Sequence, residues 1–251
     1  MPVNQEIVIR ECTTLHDLAA CVALQREVFG LPDIEISPVR HLVVTRNAGG
    51  FTLGAFSQAK LVGFVLSVPA FLRGEKAFYS HMTAVRSEHQ SSGIGARLKW
   101  AQRKRSLTEG VRFIKWTFEP VKARNAFFNL EKLGAIVREY QDDLYGTDYL
   151  TTPREIEKIG LASDRLFAEW ELESPKVTAL ADGYDLAEKR SVMREIVIPS
   201  DWYRLVARDA KAALAEQLRI RSEFGSAFSD GLICRGFRRD DEAPAFLLFK
   251  D

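Results

Sequence analysis

The sequence predicts an α/β protein, a twisted mixed sheet flanked by helices with a smaller α/β subdomain after it. The 251 residues, 46% of them hydrophobic, suffice for one large domain or a domain with an added subdomain. Segments that alternate like strands are interspersed with segments that have helical spacing, and the strands outnumber the helices. The pattern restarts after Ser174. We therefore expect a main domain over residues 1–173 and a subdomain over residues 174–251, for which the sequence indicates no single role.

The first half of the main domain is predicted to contain a strand, two helices and a hairpin. Residues 7–10 alternate like a strand, and residues 15–29 have apolar side chains at helical spacing. A second helix over residues 38–46 precedes two strands, 51–56 and 61–68, which a short polar turn joins.

The rest of the chain continues the mixture of strands and helices. In the main domain we predict a strand at 78–85, a helix from Ile94 to about Gly110, a strand at 113–118, a helix at 124–133, and strands at 136–144 and 166–172 that pair across a long insertion. Beyond residue 175 we predict a polar stretch, a strand at 194–198, one helix over about 201–224, and strands at 232–237 and 246–249.

The overall charge excludes a global attraction to nucleic acid or to an anionic membrane, because the 35 Lys and Arg residues are balanced by 34 Asp and Glu residues. Cys12, Cys21 and Cys234 have no metal-ligand spacing and no paired framework, so we predict buried or incidental thiols and no metal. Their odd number suits a reducing compartment. The start has no apolar signal core, and the longest apolar run, residues 61–72, is too short to span a bilayer. We expect a cytoplasmic protein.

One segment has the form of a phosphate-binding loop. It lies where a strand gives way to a helix and consists of Gln90, Ser91, Ser92, Gly93, Ile94, Gly95 and Ala96. Glycines there let the backbone turn tightly and approach a ligand, and amides at a helix N-terminus bind phosphate. The third glycine of a dinucleotide fingerprint is replaced by Leu98, and the Gly-Lys-Ser/Thr of a Walker loop is missing. Nicotinamide and ATP are therefore minor alternatives.

This loop resembles the signature of the GNAT superfamily of acyl-CoA-dependent N-acyltransferases. The signature is a strand ending in Val, four residues, Gln or Arg, two residues, Gly, one residue, and Gly or Ala, and here it runs from Val85 through Gln90 and Gly93 to Gly95. The order of elements over residues 7–172 is similar as well. The alternative is a glycine-bearing start of a helix that binds no ligand.

The resemblance implies a GNAT-like sheet that binds acetyl-CoA or another acyl-CoA. Amides of residues 91–96 would hold the pyrophosphate, and the backbone of Thr83, Ala84 and Val85 would pair with the pantetheine arm as an added strand does. The basic helix that follows would offer one or two charges to the nucleotide's phosphate. The basic residues of this helix are Arg97, Lys99, Arg103, Lys104 and Arg105, and most of them are expected to face water.

A second region, residues 123–135, resembles the superfamily less closely. Leu130 stands where a tyrosine acid is usual, and Ala135 replaces a phenylalanine. Asn125 and Asn129 are candidates for contacting the cofactor, and helix capping or surface polarity is an equally good interpretation of them.

N-acyl transfer needs a base for the amine, a donor for the oxyanion and an acid for the departing thiolate. His81 is a candidate base because an imidazole titrates near neutral pH, and a structural histidine is the alternative. Glu119 is a second candidate base, with an exposed loop carboxylate as its alternative. Tyr145, one of three tyrosines with Tyr140 and Tyr149, is the candidate thiolate acid, and a core edge is the alternative.

Two residues are candidates for contacting the substrate. Arg165 can clamp a carboxylate with its planar fork, and a surface pair of Asp164 with Arg165 is the alternative. Trp116 lies in the strand that leads to Glu119.

These observations predict an enzyme that moves an acetyl or succinyl group from coenzyme A to a small-molecule primary amine in a ternary complex. A free amino acid is the acceptor that some similar bacterial sequences suggest. The first alternative is a GNAT-like protein that binds acyl-CoA without turnover. The second, an RNA-associated protein, is disfavoured by the near-zero charge. The C-terminal segment would cover the acceptor site or support a homodimer.

Overall fold

The structure is a computed structural model that describes residues 6–30, 32–147 and 160–251. The chain forms a first compact unit, Met1–Lys115, and a second compact unit, Trp116–Asp251. Residues 174–251 therefore share a unit with the segment before them. The predicted boundary at residues 173 and 174 stays a prediction.

The first unit is a mixed sheet covered by helices. Its strands are β1 (Ile7–Glu11), β2 (Phe51–Ser57), β3 (Lys60–Leu72), β4 (Glu75–Val85) and the first half of β5 (Phe113–Phe118), and its helices are α1 (Leu15–Phe29), α2 (Val39–Asn47) and α3 (Ile94–Thr108). Strands β1 to β4 pair antiparallel in sequence order, and β5 lies parallel to β4. The predicted hairpin and the mixed sheet are confirmed.

Helix α1 shows how the local sequence produces these elements. The hydroxyl of Thr14 accepts a hydrogen bond from the amide of Asp17 and caps the N-terminus, and Gly30 ends the helix at a φ of 59°. Between these caps Leu18, Cys21 and Leu24 face inward. Burying such side chains stabilises the fold by roughly 1.5–3 kcal/mol each. The three cysteines are buried and free, as predicted.

A buried polar cluster joins α3 to the sheet, and its centre is Lys99, which is 3% exposed. The ammonium nitrogen of Lys99 lies 3.0 Å from Ser80 Oγ and 2.8 Å from Gln102 Oε1, and Gln102 Nε2 donates to Ser67 Oγ at 2.8 Å. Lys99 is therefore an exception to the expectation that most cations of this helix face water. Helical spacing places it on the inner side of α3, where two serines of neighbouring strands provide polar partners.

Replacing Lys99 with methionine is expected to flatten the dependence of stability on pH. Complete burial lowers the pKa of Lys99 well below its ordinary value. Between that lowered pKa and the ordinary one near 10.4, the unfolded chain binds a proton that the folded chain does not. The free energy of unfolding should therefore rise with pH by about 1.4 kcal/mol per pH unit in this window. Urea unfolding of wild type, Lys99→Met and the exposed control Lys104→Met measures it. An equal slope in all three would contradict the expectation.

The second unit contains five further strands of the same ten-stranded sheet. Its remaining elements are α4 (Ala123–Phe127), which continues as a π-helical segment (Phe128–Lys132), then β6 (Ile136–Gln141), β7 (Arg165–Glu171), α5 (Pro175–Ala181), β8 (Arg194–Val197), α6 (Trp202–Arg208), α7 (Ala210–Ser229), β9 (Leu232–Arg238) and β10 (Ala245–Lys250). The strand order is β7-β6-β9-β10-β8. The predicted pairing of β6 with β7 is confirmed, and it is antiparallel.

Two helices differ from the prediction. The single helix expected over about 201–224 is interrupted at Asp209, whose extended backbone ends α6 and whose carboxylate caps α7 through the amide of Ala212. Helix α5 lies in the stretch predicted to be polar coil. Its start has Ser174 as N-cap and Pro175 in the first turn, a combination that favours a helix start.

Aromatic side chains form much of the core of the second unit. Trp170 is fully buried and donates its indole N–H to the carbonyl of Leu133 at 2.6 Å. Phe224 of α7 contacts Phe246 of β10 edge to face, with ring centroids 5.1 Å apart. Within the described ranges no helix is long and apolar enough to cross a membrane.

Candidate functional site

The loop before α3 presents an open helix N-terminus. Ser91 and Gly93 have φ values of 64° and 83°, a left-handed conformation that a glycine adopts without strain. Gly93 is the N-cap and gives no side chain to the first amides of α3, which have no partner within the helix. A Cβ added at Gly93 would meet no heavy atom within 4 Å, and one at Gly95 would meet only Val85 Cγ2 at 4.0 Å. The space in front of these amides is therefore open.

The polar side chains of this loop bind the loop itself. Gln90 donates its side-chain amide to the carbonyl of Val85 at 3.0 Å, and the hydroxyl of Ser92 donates to the carbonyl of His89. These contacts connect the end of β4 to the turn that precedes Ile94. In this arrangement the loop offers a ligand its backbone amides, and the two side chains serve to hold its shape.

Strand β4 has an edge along its last residues that β5 does not occupy. The register of β4 with β5 ends at Tyr79, opposite Lys115, whereas β4 continues to Val85 and is paired there with β3 on its other side. Thr83 is exposed and Ala84 is buried in the core, so Ala84 can contribute to a ligand only through its backbone. An extended ligand could add to this edge as a further strand.

His81 is the extra residue of a β-bulge in β4. Ser80 is opposite Ser67 and Met82 is opposite Leu66, which leaves His81 without a cross-strand partner in the β3 register. Bulges reorient a side chain, and they occur often beside active sites. Nearby protein atoms, and secondarily the charge of His41, lower the pKa of His81 below its usual 6.5. The imidazole is therefore neutral at neutral pH, as a base must be.

In the second unit the structure brings Glu119 and Arg165 together with a residue that the sequence analysis missed, Lys122. The carboxylate of Glu119 forms an ion pair with Lys122 and lies 3.9 Å from a guanidinium nitrogen of Arg165. Burial opposes the charge of Lys122, but the charge of Glu119 and the hydrogen bonds to Glu119 and Tyr203 together raise the pKa of Lys122. Glu119 thus has two cationic partners, and its carboxylate oxygens are engaged by protein groups.

Tyr145 belongs to the same group of side chains. Its ring lies against the guanidinium of Arg165, 5.1 Å from the ring centroid, and its hydroxyl is 3.3 Å from Thr117 Oγ1. The side chain is 43% exposed, and its backbone amide donates to Ser163 Oγ at 2.7 Å. The hydroxyl therefore belongs to an exposed side chain, and the hydrogen bond to Ser163 holds the backbone of its loop. Tyr149, the third tyrosine of the sequence motif, lies outside the described residues.

Asp164 does not form a surface pair with Arg165. It is 2% exposed and accepts two hydrogen bonds from Arg221 of α7, at 3.0 and 2.8 Å, and one from the hydroxyl of Tyr140 at 2.6 Å. Burial, reinforced by the bond to Asp164, raises the pKa of Tyr140. This buried network holds the loop that carries Tyr145. No local pattern points to Arg221, which is 57 residues from Asp164 in the sequence.

The other predicted site residues of the second unit lie apart from this cluster. Trp116 and Asn129 are buried, and the indole N–H of Trp116 donates to Asn129 Oδ1 at 3.2 Å. Asn125 is exposed on α4. Leu130 is fully buried, so the place of the usual tyrosine belongs to the core. The ligand contacts of Trp116, Asn125 and Asn129 stay predictions. Among the described residues, no cluster of three or more His, Cys, Asp or Glu could hold a metal ion.

No protein-family model and no curated protein matches this chain. Solved structures do. A Desulfovibrio desulfuricans protein assigned to the GNAT family of acetyltransferases is 15% identical with a TM-score of 0.53 and covers 66% of this chain and 99% of its own. An N-acetyltransferase from Staphylococcus aureus Mu50 is 12% identical with a TM-score of 0.52, over 67% of this chain and 99% of its own. The ribosomal-protein-S18-alanine N-acetyltransferase of Escherichia coli is 14% identical with a TM-score of 0.50, over 73% and 97%.

These likenesses show that the chain has the fold of GNAT acetyltransferases, a mixed sheet flanked by helices, as predicted. The three neighbours are matched over almost their whole length, whereas about a third of this chain has no counterpart in two of them.

Proposed function

We propose that this protein is an acyl-CoA-dependent N-acyltransferase that moves an acetyl or succinyl group to the primary amine of a small molecule. The observation that carries the proposal is the path from the edge of β4 that β5 leaves unpaired among the described residues, through the loop, to the open N-terminus of α3. An extended pantetheine arm would pair with the edge at Thr83 and Val85, and the amides of residues 91–96 would hold the pyrophosphate. This pairing of an open edge with an anion site suits a long ligand that ends in phosphates.

In the proposed reaction the amine nitrogen forms a bond to the thioester carbonyl carbon, and the carbon–sulfur bond breaks. His81 takes the proton that the amine must lose, because it is neutral at neutral pH, whereas Glu119 is already paired with two cations. Glu119 is assigned instead to holding Arg165 and Lys122 in place. Tyr145 returns a proton to the departing thiolate through its accessible hydroxyl.

The charges in the second unit favour an acceptor that carries a carboxylate as well as an amine. Lys122 and Arg165 contribute two positive charges, and Glu119 contributes one negative charge, so the cluster has an excess of one positive charge. Both cations are largely buried, and each lies against a tyrosine ring, Lys122 against Tyr203 and Arg165 against Tyr145. A free amino acid has the complementary groups. We therefore propose it as the acceptor class.

The second candidate function is binding of acyl-CoA without turnover. The specific observation in its favour is the buried Leu130, because the usual tyrosine acid is missing from that position. In this case the same loop and helix N-terminus would hold acyl-CoA, and no amine would be acylated.

A thermal-shift titration with CoA, acetyl-CoA and succinyl-CoA, with NAD and ATP as controls, tests the proposal. A ligand that binds only the folded state raises the melting temperature. At a hundredfold excess over Kd we expect a rise of about 5–10 °C for the CoA species alone. Release of CoA thiol across an amino-acid panel then distinguishes the two candidates. A shift without thiol release on any amine favours the binding protein, and no shift with any CoA species contradicts both.

A further inference from the structure

His81 has two neighbours on its exposed side that the sequence analysis did not single out. Its Nε2 atom lies 3.5 Å from Ser37 Oγ, just before α2. The ring of His41, in the first turns of α2, lies edge-on to the ring of His81 with 6.2 Å between centroids. Two imidazoles and a hydroxyl therefore meet beside the unoccupied edge of β4.

Ser37 is held rigidly for this contact. Gln25 of α1, fully buried, donates its side-chain N–H to the carbonyl of Ser37 at 3.1 Å and accepts the amide of Ser37 at 3.0 Å. The amide of His41 in turn donates to the carbonyl of Pro38 at 2.9 Å. Both neighbours of His81 are thus fixed through their backbones.

We propose that His41 and Ser37 are positioning residues for His81: together they orient its imidazole, and a positive charge on His41 opposes a proton on His81. The inference rests on the proposed function, in which His81 is the base. Neither residue needs to touch the substrate for this role, since both act through His81.

Among the residues that the structure describes, the charge that affects the pKa of His81 is that of His41, and the lowering that nearby protein atoms cause is the larger effect. The neighbouring strands supply the uncharged residues Ser80 and Met82 from β4 and Leu66 and Ser67 from β3, and Gln25 of α1 acts through Ser37. A positive charge on an imidazole at this separation makes protonation of His81 less favourable.

A proton NMR titration of the histidine rings tests the inference, since the chain has four histidines. In His41→Gln the titration of His81 should move to higher pH and follow a single-site curve. In the control His16→Gln, which changes an exposed histidine of α1, it should stay as in wild type. The acid limb of kcat/KM, its fall toward low pH, should move in the same direction, so that the mutation lowers the rate roughly two- to threefold more at pH 6 than at pH 8.

The possible outcomes separate the role of His41 from the proposed acyl transfer. If His81 titrates identically in wild type and His41→Gln, the inference is wrong. It is also wrong if the titration moves while the acid limb of an active enzyme does not. If the titration moves and no amine is acylated by the wild type, the coupling between the histidines stands and the proposed function is what fails.

Discussion

Gly95→Asp is expected to weaken CoA binding by roughly 30- to 100-fold without destabilising the protein. A carboxylate at this position would repel a pyrophosphate held by the loop amides, and a 30- to 100-fold loss of affinity corresponds to about 2–3 kcal/mol. The fold itself should accept the change. The space at Gly95 is open, and a negative side chain in the first turn of a helix is favourable.

Gly95→Asn is the matched control because asparagine has nearly the same shape and no charge. We expect its Kd for acetyl-CoA, measured by calorimetry, to lie much closer to that of the wild type. Gly93 is a poorer site for this test, since its φ of 83° would strain any other residue. Equal losses of affinity in Gly95→Asp and Gly95→Asn would mean that shape, and not the phosphate charge, explains the effect.

His81→Gln is expected to lower kcat by about 100- to 1000-fold, the usual contribution of a positioned base. The Kd for acetyl-CoA should stay the same, because the proposed cofactor contacts use the backbone. A base acts in its neutral form, so the rate of the wild type should fall as pH drops through the pKa of His81. Since that pKa is lowered, the rate should already be at its plateau at neutral pH. The acid limb should disappear in His81→Gln.

Glu119→Gln provides the comparison because Glu119 is the rival base. We expect the variant to keep the acid limb and to change chiefly the KM for the acceptor, since Arg165 and Lys122 lose their counter-ion. If Glu119→Gln abolished the acid limb and His81→Gln retained it, the two roles would have to be exchanged.

The glycine loop and the open N-terminus of α3 could be predicted from the sequence because both depend on residues that are close together in the chain. Glycines that follow a strand and precede a helical pattern determine a turn and an open helix N-terminus within a few residues of one another. Likewise, strand alternation and helical spacing predicted most elements within a few residues, including the β2–β3 hairpin. The helix break at Asp209 was missed because the apolar spacing continues across it, and a capping carboxylate gives only a weak signal inside a periodic segment.

The catalytic neighbourhood was only partly predictable. His81 and Glu119 were equal candidates in the sequence, since each residue type can act as a base. The structure gives them different surroundings, a bulge and a second histidine for His81 and two cations for Glu119, and our proposal of His81 as the base rests on this difference. Lys122 is close to Glu119 in sequence as well, but nothing in the local pattern indicates that its charge is directed at that carboxylate.

The sequence by itself determined most of the secondary structure, the position of the glycine loop and the kind of fold, because each follows from spacing and backbone preferences over short distances. Only the tertiary structure decided that Lys99 is buried, that Asp164 pairs with Arg221, and that His41 meets His81. Burial and charge pairing join residues that lie far apart in the chain. They depend on how helices pack on sheets, and no short-range pattern contains that information.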